Sequence, residues 1–168
     1  SFSAGATMTK AASGTSTSIT APTTQGTYHI YVLDQAGNIS SSSTAALTVD
    51  DTAPVFSAIS PSSNSSVNTA NVGYTLTEAT GSIATGTVTF TRTGGTADGS
   101  SPHTVNLTGA ELNAATRGSA ALSNAPTLVD GAIYTIEFDG VDAATNAATT
   151  VSVTNITFDT TAPTLSSV

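Results

Sequence analysis

The sequence predicts an all-β sandwich fold, and three observations carry that expectation. Short β-branched and aromatic runs recur at 28–33, 72–77, 87–91 and 134–138. Most of them alternate with period two and are bounded by Gly, Asn, Asp or Pro. No stretch sustains a helical period. Thr, a good strand former, fills the outward positions of these runs. The nearest approach to a helix, 109–116, has room for two turns at most and reads as a turn or short helix on a crossing loop. Many short strands at regular spacing describe a sandwich.

Composition narrows the function. Of 168 residues only 8% are charged, while 57 are Ser or Thr, and the formal charge is −8. Lys10, Arg92 and Arg117 are the whole cationic complement. Three cations cannot build the basic stripe that neutralises nucleic-acid phosphates, nor a patch for anionic lipid. No apolar run is long enough to span a bilayer, and the start does not resemble a signal peptide. The absence of cysteine removes disulfides, thiolate catalysis and cysteine-ligated zinc.

An internal repeat organises the chain. Asp50-Asp51-Thr52-Ala53-Pro54 returns as Asp159-Thr160-Thr161-Ala162-Pro163, 109 positions later. Upstream of each copy stands a matching turn, Asp34-Gln35-Ala36-Gly37-Asn38 and Asp142-Ala143-Ala144-Thr145-Asn146. The expected organisation is the C-terminal part of one module at 1–50, a complete module at 51–160 and the start of another at 161–168.

The Asp-x-Thr-Ala-Pro junctions, the Asp-x-Ala-(Gly/Thr)-Asn turns and Leu107-Thr108-Gly109-Ala110-Glu111-Leu112 resemble bacterial immunoglobulin-like repeats. Such repeats form the stalks of large secreted adhesins and other cell-surface proteins. The resemblance covers nearly all of 51–163 and the second half of 1–50. It implies tandem seven-strand Greek-key sandwiches, export to the extracellular surface, a non-catalytic role in reach and stiffness, and in several branches calcium at module junctions. Thr145 departs from the pattern, because Gly is usual there and the position favours left-handed backbone. Two other roles stay open. One is a head-to-tail filament subunit completed by strand exchange, through an edge such as 162–168. The other is an adhesin module that binds glycan or host protein through loops such as 93–101, although no aromatic occurs from Thr91 through Ile133.

Placed on the path of an immunoglobulin-like sandwich, the acids converge. Asp50 and Asp51 stand ahead of the first strand at one pole. A strand at about 71–77 returns to that pole and ends at Glu78. A strand at about 132–138 arrives there too, and the hairpin turn beyond it carries Asp142 and Asn146. Four carboxylates and one amide repel unless a cation sits among them. Oxygen ligands from irregular loops suit calcium better than magnesium, and the lack of His or Cys disfavours transition metals. Asp34 and Asn38 would make the same half-site in the first part-module. The last strand, at about 147–158, delivers Asp159 to the opposite pole, toward a following module. Singly, each residue reads better as a turn former that caps backbone N–H groups; only the set points to an ion. A metal joining linker to loops would freeze the hinge between modules, and Pro54 and Pro163 would stiffen it further.

Other chemistry is weaker. His29 is expected on a strand and His103 in a loop, in different modules, each packed or exposed. No Gly-x-Ser-x-Gly elbow is present. Glu111 and Glu137 form no glycosidase pair, since Glu137 falls on a solvated strand face and no Trp is available to stack sugar. The Gly-rich stretch 94–100 lacks the Lys and helix of a phosphate cradle and reads as a mobile tip. Lys10 could in principle form an isopeptide crosslink but reads as a surface lysine. Sequons at Asn38, Asn64, Asn106 and Asn155 are about what this composition yields by chance.

Overall fold

The computed structural model describes residue 9 and residues 14–166; Lys10 lies outside them. The chain divides into two compact units, the first ending at Asp51 and the second beginning at Thr52. Every regular element among the described residues is a strand, apart from one 3-10 turn at Gly109–Leu112. No helix there is long and apolar enough to cross a membrane.

In the first unit β1 (Gly26–His29) pairs antiparallel with β2 (Ala46–Val49), setting Tyr28 opposite Leu47. Past His29 the segments stay bonded but leave the regular ladder. Ile30 and Val32 donate their N–H groups to the side-chain oxygens of Ser43 and Ser40, each at 3.0 Å. Serine hydroxyls compete with backbone partners in this way, so the predicted strand at 28–33 is regular only as far as His29. Exposed His29 keeps Nδ1 3.0 Å from the Ser43 carbonyl oxygen. No described residue from 14 to 50 is buried.

In the second unit β3 (Val55–Ser60), β4 (Ser66–Val67), β5 (Val72–Thr77), β6 (Thr85–Gly95) and β7 (His103–Asn106) come first. β8 (Ala115–Ala120), β9 (Ala132–Val141) and β10 (Val151–Phe158) follow. One sheet has the order β3-β5-β8 and the other β4-β10-β9-β6-β7. All pairings are antiparallel except β4 beside β10. Pro61, which lacks an N–H to donate, stands where the chain leaves the first sheet for the second.

Strand β9 shows why these residues make sheet. Ala132, Tyr134, Ile136, Phe138 and Gly140 are buried, alternating with five half-exposed neighbours that include Thr135 and Glu137. β6 alternates likewise through Gly86, Val88 and Phe90. The two sheets meet through Phe56, Tyr74 and Phe138, whose ring centroids lie 5.6–6.0 Å apart in edge-on and tilted arrangements, the geometries aromatic quadrupoles favour.

Near the end of the larger sheet Gly86 faces Gly140 across β6 and β9. Ile83 fills the notch they leave, since a Cβ on either glycine would stand 2.8–2.9 Å from its Cδ1. Gly94 and Gly95, expected in a mobile tip, instead close β6 opposite Ile133 and Ala132. A Cβ at Gly95 would fall 2.1 Å from the Gly131 carbonyl oxygen, so the close crossing requires glycine. The last strand starts later than expected: Ala147 only bridges to Val141, and regular pairing begins at Val151.

Candidate cation site

Beyond Val141 the chain turns back from Asp142 to Asn146. Asp142 Oδ1 accepts the Asn146 backbone N–H and Oδ2 accepts its side-chain amide, both at 2.8 Å. Asp142 is 2% exposed. Burial pushes its carboxyl up, but hydrogen bonds from the Asn146 side chain and backbone, and from the backbone of Ala144 and Thr145, outweigh that and hold it below the usual carboxylate value. It is therefore an anion at neutral pH. Thr145 adopts φ 75°, so the left-handed turn persists on a β-branched residue, where it is strained. The first unit repeats the arrangement: Asp34 accepts the backbone and side-chain N–H groups of Asn38 at 2.8 Å each, with Gly37 at φ 91°. The Asn38 side chain and backbone hold Asp34 low in the same way.

Glu78 follows β5, whose last residue Thr77 pairs with Val55. It is 8% exposed. Its Oε1 accepts the N–H and the hydroxyl of Thr80, both at 3.1 Å. Its Oε2 is buried and has no hydrogen-bond partner. The segment carrying Glu78 is anchored by Ile83 and by Ala84, whose N–H donates to the Val141 carbonyl at 2.9 Å. Those anchors bring a carboxylate oxygen of Glu78 within 4.8 Å of one on Asp142.

Two carboxylates at that spacing, when both are charged, repel by about 3 kcal/mol at an effective dielectric near 20. An unpartnered buried acceptor adds about 1–3 kcal/mol. A divalent cation would relieve both costs. The donors are all oxygen, which fits calcium or magnesium and not zinc or copper.

The other expected ligands are placed as follows. Asp50 and Asp51 end the first unit, half-buried and exposed respectively. Pro54 is fully buried and Val55 lies opposite Thr77, beside Glu78. Asn146 spends its side-chain amide orienting Asp142. Asp159 follows β10, a strand that spans about 26 Å at 3.3 Å per residue, and so lies at the far end of the unit from Asp142.

Several polar centres escaped the sequence reading. Asp98 Oδ2 lies 2.6 Å from His103 Nε2 and accepts the Tyr134 hydroxyl at 2.7 Å. Glu111 is a staple: it accepts the N–H groups of Thr108 at 2.8 Å and Ser123 at 2.7 Å. Asp130 binds the segment beyond β10. The Thr108-x-x-Glu111 spacing of a capping box could have marked Glu111, whereas Asp98 and Asp130 take partners 36 and 30–31 positions away that no local spacing reveals.

No family model matches this sequence, and no curated protein matches it.

Proposed function

We propose that this chain is a segment of tandem immunoglobulin-like modules in an extracellular bacterial stalk, non-catalytic and stiffened by calcium at the seams. The strand order supports the module type: a first strand divided between two sheets, and a last strand parallel to its second half, are how Greek-key immunoglobulin-like sandwiches close. The repeated Asp–Asn turn and the repeated Asp-x-Thr-Ala-Pro junction support the tandem arrangement. The observation that carries the cation reading is the buried, unpartnered Glu78 Oε2 beside Asp142. In this reading Glu78 and Asp142 are the fixed ligands, and Asp50, with Asp51 next to it, brings a linker carboxylate to the same ion. The ion then joins linker to loops and removes a hinge.

The stalk reading is preferred to strand exchange between copies. By the repeat, 161–166 corresponds to 52–57, whose strand pairs with β5. β1 and β2 correspond instead to β9 and β10, so the described part of the first unit offers that segment no β5-like neighbour.

Calcium titration by calorimetry, with small-angle scattering in calcium and in chelator, tests the proposal. Wild-type protein should bind calcium and change its maximum dimension on chelation; Glu78→Gln should do neither. No binding heat together with an unchanged maximum dimension would remove the calcium mechanism.

A further inference from the structure

The segment that leaves β10 is gripped by a residue that no strand pattern marks. Asp130, in the turn before β9, accepts the Thr160 N–H at 2.5 Å and the Thr160 hydroxyl at 2.9 Å on Oδ1. Its Oδ2 accepts the Thr161 hydroxyl at 2.8 Å. Asp159 adds two ties, donating its N–H to the Val67 carbonyl and accepting the Thr161 N–H on Oδ1, both at 2.9 Å. Asp130 is itself held, because the neighbouring Gly131 donates to the Phe158 carbonyl at 2.8 Å and accepts from Thr96 at 2.9 Å.

We propose that Asp130 is a positioning residue that sets the direction in which the chain leaves the second unit, without help from any ion. Its consequence for a following module rests on the tandem reading above. By the repeat, Pro163 corresponds to Pro54, which is fully buried in its own unit. Only Ala162 then lies between the gripped residues and the next anchored one. A single residue offers two soft torsions, and one that precedes proline is confined to extended backbone. The seam has almost no free rotation left.

Amide NMR of the whole chain in chelator tests this. The Thr160 N–H bond, foremost, and the Thr161 and Thr160 hydroxyls hold the Asp130 carboxyl below its usual value. The Thr160 amide proton should therefore shift with pH, with a midpoint under the ordinary value of about 3.9. Asp130→Asn should abolish that titration and lower the heteronuclear NOE from Thr160 to Leu165, and calcium should not restore it. Asp159→Asn, which removes the other carboxylate of the segment, should leave the Thr160 titration in place. Unchanged NOE values in Asp130→Asn, or their recovery on adding calcium, would overturn the proposal. A wild-type protein that binds no calcium yet shows the Asp130 effect would sink the cation reading and leave this one standing.

Discussion

At the scale of single residues, carboxylates do most of the polar work here, and each is tuned by its own donors. Glu78 and Asp142 differ in that respect. Asp142 has an amide partner on each oxygen, whereas Glu78 leaves one oxygen without any. Asp98 is the most heavily stabilised of the set. His103 and then Tyr134 hydrogen-bond its carboxylate and hold its pKa down to about 2. An unfolded aspartate titrates near 3.9, so between these values the unfolded chain binds the proton more readily than the folded one. The stability Asp98 contributes is present above about pH 4 and is lost as pH falls toward 2. Asp98→Asn should flatten that part of the stability curve, read as urea midpoints between pH 2 and 5. A variant whose midpoints fall in parallel with wild type would show that other groups carry the acid sensitivity.

At the scale of elements, period-two alternation made β6 and β9 legible, because their burial follows the sequence residue by residue. The approach of Glu78 to Asp142 was also legible, since strand direction alone sends both to one end. Strand regularity in the first unit was not. The 28–33 run alternates well enough, yet serine hydroxyls took the ladder positions at Ile30 and Val32. Nor was the notch at Gly86 and Gly140 legible, for it depends on a contact with Ile83 that no spacing reveals. That notch couples fold to site, because Ile83 anchors the segment that carries Glu78. Gly140→Ala would place a Cβ 2.9 Å from Ile83 Cδ1 and 3.1 Å from Phe56 Cε2. Overpacking of this kind costs about 1–3 kcal/mol. The expected result is that loss in chemical denaturation together with weaker calcium binding by calorimetry. Full stability with unchanged binding would show that Ile83 yields freely and does not position Glu78.

At the scale of the whole molecule, apolar burial is unevenly shared. The core cluster runs from Phe56 to Phe158 and lies wholly in the second unit. In the first unit Ile30, Val32 and Leu47 are 57%, 65% and 46% exposed, and a two-stranded ribbon is marginal in water by itself. Heat-driven unfolding should therefore report mainly the second unit. At about 0.7 kcal/mol per residue near 60 °C, that unit alone corresponds to roughly 80 kcal/mol, against about 120 for a fully cooperative chain. Calorimetry in chelator should give the smaller enthalpy, and hydrogen exchange should show β1 and β2 labelled long before β6 and β9. An enthalpy near the larger figure, with slow exchange in β1 and β2, would mean that the first ribbon folds as part of the same cooperative body. Two anchored carboxylates in the second unit would then be less than the full origin of the stiffness assigned to the seam. The smaller enthalpy keeps the division of labour intact: a core that folds by itself, and a junction whose order depends on what its acids bind.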